Sequence, residues 1–140
     1  MATTMSADSF IDSVRRWAEG RNDILALAVV GSYARGEARA DSDIDLVLIC
    51  SDPTRYLADP SWASAFGTVN DHVVEDWGLV QSVRVFYQDG PEVEFGIAGT
   101  TWTEIPPDPG TAAVVLDGCS NLLDRDGRLS RLLAVVGKSA

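Results

Sequence analysis

The chain is short of the residues that make structural zinc sites and disulfide frameworks. It has one histidine, His72, and two cysteines, Cys50 and Cys119. The cysteines lie far apart, each at the end of an apolar run, so they read as free thiols packed against a core. Basic residues are also scarce: 11 Lys and Arg stand against 21 Asp and Glu, a formal net charge of −10. Sequence-independent binding of DNA or RNA needs a cationic surplus to neutralise phosphates, so direct nucleic-acid binding is not expected. Long apolar runs are missing too. The longest, Ile24 to Val30, is far too short to cross a bilayer. Residues 1–7 have neither the basic start nor the apolar stretch of a secretory leader. No membrane association and a cytoplasmic location follow as expectations. Internal repeats and low-complexity stretches are absent.

What is present is a real core. Apolar residues make up 46% of 140 residues, enough for one domain over 1–140 with a loose end at 1–5. Phe10, Ile11, Val14, Trp17 and Ala18 recur at intervals of three and four and predict a helix ending near Gly20. Ile24–Val30 and Ile44–Cys50 are apolar on both faces and read as inner strands. Tyr56 to Phe66 reads as partly helical with a break at Pro60. Residues 69–78 fit either a strand or a turn-rich connection. Ser82 to Tyr87 and Glu92 to Ala98 each alternate with period two around Gln88-Asp89-Gly90-Pro91, a β-hairpin signature. A short helix (Thr111 to Leu116), a short strand (Cys119 to Leu123) and a last helix led by Leu129, Leu132, Leu133 and Val136 close the chain. The fold class is α/β (α+β): a mixed sheet flanked by helices.

The chemistry concentrates between residues 29 and 49. Strand alternation puts Asp43 and Asp45 on one face with Ile44 opposite. Two carboxylates at the mouth of an apolar strand repel each other and lose water, and a bound divalent cation makes the pair favourable. All-oxygen ligands suit Mg²⁺ or Mn²⁺. Upstream, a strand ends in Gly31-Ser32 before a short helix or turn. That arrangement offers backbone N–H groups and a hydroxyl to a phosphate. Phosphate donors beside carboxylates describe a site for ATP or another nucleoside triphosphate. Glu94 faces away from Val93 and Phe95 and is the candidate third carboxylate; Glu92 shares its face and is the alternative.

Gly31-Ser32, ten residues, then Asp43-Ile44-Asp45, with a later apolar-Glu94-apolar strand, resembles the DNA polymerase β-like nucleotidyltransferase superfamily. Gly31-Ser32-Tyr33-Ala34-Arg35-Gly36 and Ser42-Asp43-Ile44-Asp45-Leu46 look most like its small minimal nucleotidyltransferases. Residues 122–127, Leu-Leu-Asp-Arg-Asp-Gly, are similar to the tail of such domains. The resemblance implies that Asp43, Asp45 and Glu94 hold the metals and carry catalysis. It also implies that Gly31 and Ser32 hold the β- and γ-phosphates and that an acceptor hydroxyl attacks the α-phosphorus. Glu stands where Asp is commoner in the superfamily. The helical domain with which larger members grip an acceptor is lacking.

Other residues carry competing readings. Arg35 is a candidate for binding the triphosphate, as is Arg39, but pairing with Glu37 or Asp41 is the plainer role. The segment Glu75-Asp76-Trp77-Gly78 could line the acceptor side, although a packed Trp77 beside solvated acids is the plainer reading. Trp102 could stack on a base, with core packing the plainer role, and His72 reads as structural or exposed. Two functional classes follow from the resemblance. One is an enzyme moving AMP from ATP to a hydroxyl of a small molecule, such as an aminoglycoside, or of a protein. The other is an antitoxin-like interaction protein that binds, and in some relatives adenylylates, a small helical HEPN-type partner.

Overall fold

The computed structural model describes residues 6–39, 42–88 and 90–139, so the expected loose end over 1–5 lies outside the described residues. Helix α1 (Ala7–Glu19) starts where Ser6 accepts a hydrogen bond from the Ser9 N–H at 3.2 Å, and it buries Phe10, Val14 and Ala18. Strands β1 (Ile24–Val30) and β2 (Ile44–Cys50) flank a one-turn helix, α2 (Ser32–Arg35). Then come α3 (Pro53–Ala58), a 3₁₀ segment (Pro60–Phe66), β3 (Val69–Asp76), β4 (Val80–Tyr87) and β5 (Glu92–Ala98). A second 3₁₀ turn (Thr100–Thr103), α4 (Pro109–Asp117), β6 (Cys119–Asp124) and α5 (Arg128–Ser139) complete the chain. Residues 69–76, which fit two readings in the sequence, form a strand.

The six strands make one sheet in the order β3-β4-β5-β2-β1-β6. Only β2 and β5 run parallel; every other pair is antiparallel, so the sheet is mixed as the hairpin signature required. The β-period sorts side chains between two faces. Ile44, Leu46 and Leu48 of β2 and Val93, Phe95 and Ile97 of β5 join the larger core under α1 and the 60–66 segment. Phe10 sits there among Phe66, Tyr87 and Phe95 at centroid distances of 5.7, 5.3 and 6.2 Å. The opposite face divides in two. Ala26, Ala28, Val47, Ile49 and Ala98 are covered by Trp102 and by Leu129, Leu132 and Val136 of α5. Trp102 is therefore a core residue.

Edge strand β3 behaves differently. Val73 and Val74 are both exposed although they point to opposite faces, and Asp71, His72 and Asp76 are exposed with them. Only β4 pairs with it among the described strands.

Residues 124–127 join the two ends of the domain. The Arg125 guanidinium donates to the carbonyls of Ile24, Ala18, Glu19 and Arg21 at 2.7 to 3.0 Å, so it satisfies the acceptors left open where α1 ends. Asp124 accepts from the N–H groups of Leu129 and Ser130 and from the Ser130 hydroxyl, which anchors the start of α5. Burial is the largest single influence on the Asp124 carboxyl and pushes its pKa up. The hydrogen bonds from Ser130 and Leu129 together outweigh it and hold the group below the usual carboxylate range.

Two outcomes follow. Arg125→Met leaves carbonyls without their donor and lowers unfolding free energy by about 2 kcal/mol, measured by urea denaturation. The charge of Asp124 stabilises the fold above its unfolded pKa, and that contribution disappears as pH falls through the lower folded value. The stability gap between the native protein and Asp124→Asn is therefore full at neutral pH and narrows below about pH 4, followed by thermal unfolding across pH.

Candidate active site

The open half of the second sheet face carries the site, and strand register assembles it. Val30 pairs with Asp45 across β1 and β2, Asp45 with Glu94 across β2 and β5, and Arg84 with Glu94 across β4 and β5. Gly31 follows Val30 directly, so the turn into α2 lies against Asp45. A Cβ built at Gly31 would stand 2.9 Å from Asp45 Oδ2, and the residue has φ +73° and ψ −146°. Both the space and the backbone conformation exclude a side chain. The structure thus brings Gly31, Asp45 and Glu94 together. Ser32 opens α2 beside them.

Asp43 precedes β2 and is exposed, but it lies on the same side. Glu92 is the acid that acts most directly on Asp43, and Glu94 the acid that acts most directly on Asp45. Burial foremost, then the Glu94 charge, raises the Asp45 pKa to about 7. Burial, followed by the hydrogen bond and charge of Glu92, raises that of Asp43.

Arg84 was not among the candidate site residues read from the sequence. In the structure its guanidinium enters this acid cluster with its side chain 24% exposed. Nε reaches Glu75 Oε1 at 2.8 Å and Nη1 reaches Glu92 Oε2 at 2.6 Å; Nη2 lies 3.3 Å from Glu94 Oε2, and Nη1 lies 3.7 Å from Asp43 Oδ2. These contacts, led by the hydrogen bond with Glu75, raise the Arg84 pKa further. The hairpin signature was the available signal, because it sets β4 against β5. Glu75 was hidden by the ambiguity of residues 69–78.

A cavity of about 360 Å³ runs from Gly31, Asp45 and Glu94 along the sheet to Trp77 and Val114. Its floor stays low because Gly96 has no side chain: a Cβ there would meet Val80 Cγ2 at 3.0 Å and the Leu46 carbonyl at 3.2 Å. Trp77 is 58% exposed and is not the packed indole that the plainer reading favoured. It sits at the β3–β4 turn and lines the far end of the cavity. Arg35 pairs with Asp117 at 2.7 Å and with Glu37 at 3.5 Å, and Asp117 itself lines the cavity. Arg39 is exposed and its backbone N–H donates to the Ser42 hydroxyl. Asp41 lies outside the described residues. His72 is exposed on β3.

The donor set fits a hard divalent cation. Five carboxylates, Asp43, Asp45, Glu75, Glu92 and Glu94, gather around the single guanidinium of Arg84. Hard oxygen donors carrying this much surplus negative charge suit Mg²⁺ or Mn²⁺. Among the described residues, no three acid, imidazole or thiol side chains close into a metal cage. No described helix is long and apolar enough to cross a membrane.

The profile of the family described as "Nucleotidyltransferase domain" matches residues 10–90, a span that holds Gly31, Ser32, Asp43, Asp45 and Arg84 but stops short of Glu94. Among solved structures, the chain is similar to an aminoglycoside 6-adenyltransferase from Bacillus subtilis, with TM-score 0.55 and 14% identity. The likeness covers 68% of this chain and 35% of that one, and it is a likeness of fold. No curated protein matches the chain.

Gly31→Ala tests how tightly the turn and the carboxylate are packed. It destabilises the protein by about 1–3 kcal/mol in urea unfolding, because a non-glycine residue at this backbone conformation is strained even before it meets Asp45.

Proposed function

The chain belongs to the nucleotidyltransferase domain family, and on that premise we propose that it moves AMP from ATP onto an acceptor hydroxyl and releases pyrophosphate. The observation that carries this reading is the packing of the Gly31 turn against Asp45, whose partner across the sheet is Glu94, so that the turn's backbone lies beside the acids. Gly31 and Ser32 hold the β- and γ-phosphates. Arg35, at the rim, turns from Asp117 to the triphosphate. Asp43, Asp45 and Glu94 would hold Mg²⁺ or Mn²⁺. When bound, such an ion neutralises charge on the transferred phosphoryl group and the leaving pyrophosphate.

The chain's own contribution is position and proton transfer. The register of β2 and β5 fixes Asp45 and Glu94 side by side, which supports their acting together on the reacting groups. Glu94 accepts the hydroxyl proton as that oxygen bonds to the α-phosphorus. The bond from the α-phosphorus to the bridging oxygen of the β-phosphate breaks, and pyrophosphate carries the electron pair away. The apolar cavity with exposed Trp77 at its far end gives the nucleoside or the acceptor ring a surface to stack on.

The similar solved structure is that of an aminoglycoside 6-adenyltransferase, which supports a small polyhydroxylated amine as the first acceptor to try. A second reading, a helical HEPN-type partner as the acceptor, is favoured by the exposed apolar side chains Trp77, Leu79, Val114 and Leu116 around and beside the cavity. This chain spans 35% of the neighbour's length, so the acceptor is a matter for assay.

Incubation with Mg²⁺ and α-labelled ATP, using aminoglycosides in one arm and a co-encoded helical protein in another, tests both. Label moves to one acceptor class, and Asp45→Asn reduces transfer roughly 10²–10³-fold, the scale of losing a key electrostatic group. Absence of ATP binding at millimolar concentration overturns the enzyme reading.

A further inference from the structure

We propose that Arg84 is a positioning residue that serves as the resident counter-cation of the acid cluster and thereby sets its affinity for a divalent ion. The inference rests on the nucleotidyl-transfer reading of the site. Its basis is an asymmetry in the guanidinium's four contacts. The two short ones, 2.8 and 2.6 Å, go to Glu75 and to Glu92, which lie outside the Asp43, Asp45 and Glu94 set proposed to hold the ion, Glu92 being only the alternative third carboxylate. The two long ones, 3.3 and 3.7 Å, go to Glu94 and Asp43, which belong to that set. Arg84 is therefore anchored at its back and engages the ligands at longer range. A divalent ion can take over the long contacts without breaking the short ones.

Geometry supports the anchoring. Arg84 is directly opposite Glu94 on β5 and opposite Val73 on β3, so Glu75 of β3 and Glu92 of β5 approach it from its two sides. A planar fork can hold acids on two flanks at once, where an ammonium acts as a point charge. In this position the guanidinium keeps Glu94 and Asp43 near their working positions before the ion arrives. Afterwards it remains as a fixed positive charge, lowering the repulsion that a triphosphate meets on entering an acid cleft. It also opposes the ion, because two cations then share one set of carboxylates.

Mn²⁺ affinity without nucleotide, measured by electron paramagnetic resonance titration, tests this in the whole chain. With one competing positive charge removed, Arg84→Gln binds Mn²⁺ about tenfold more tightly than the native protein. Glu75→Gln removes an anchor but no ligand, and the guanidinium then closes on Glu94 and Asp43; Mn²⁺ binding weakens several-fold. Asp76→Asn, an exposed change on the same strand away from Arg84, leaves affinity at the native value. Affinity of folded Arg84→Gln equal to or below the native value overturns the proposal while the metal reading stands. If that variant does not fold, unchanged affinity in Glu75→Gln overturns it instead. Failure of both the native protein and Arg84→Gln to bind millimolar Mn²⁺ overturns the metal reading and this inference with it.

Discussion

The registration of three neighbouring strands is the constraint on which the site depends. Hydrogen bonding of β1 to β2 and of β2 to β5 fixes Val30, Asp45 and Glu94 in one row across the sheet. A one-residue slip in either pair would move the carboxylates into the core and bring apolar side chains out to water. The buried face prevents that slip, since Ile44, Leu46, Val93 and Phe95 would have to leave the packing around Phe10. The acids are thus held together by apolar burial on the reverse side of the same strands. The energy that tolerates their repulsion comes from residues that never touch a ligand.

How much of this was legible in the sequence depended on the range of each signal. Asp43, Asp45 and Gly31 were legible because strand period and a terminating glycine are local patterns. Glu94 could be chosen from alternation alone, since a glutamate between Val93 and Phe95 has one open face. Arg84 was harder. Its partners come from three other parts of the chain, and the hairpin signature that sets β4 against β5 says nothing of β3 or of Asp43. Trp77 misled for a different reason: indole burial is a statistical tendency, and this indole lines the far end of the cavity instead.

The 122–127 segment shows another kind of hidden role. Its likeness to a family tail gave no hint of mechanism, yet Arg125 holds the end of α1 and Asp124 the start of α5. Side chain to carbonyl bonds across a hundred residues of sequence leave no periodic trace. The composition, by contrast, was informative in bulk but not in place. The surplus of acid is partly scattered over the surface and partly gathered in one cleft, and only the second part is chemistry.

The exposed edge strand β3 has a bearing on how copies of the molecule meet. Its open side offers unpaired backbone groups to another strand, and Val73 and Val74 would favour such an addition. Asp71 and Asp76 stand near the two ends of the same edge, with Glu75 drawn inward to Arg84. A second copy laid alongside in antiparallel register would bring aspartate against aspartate. Like charges so placed oppose the extension of one sheet into the next.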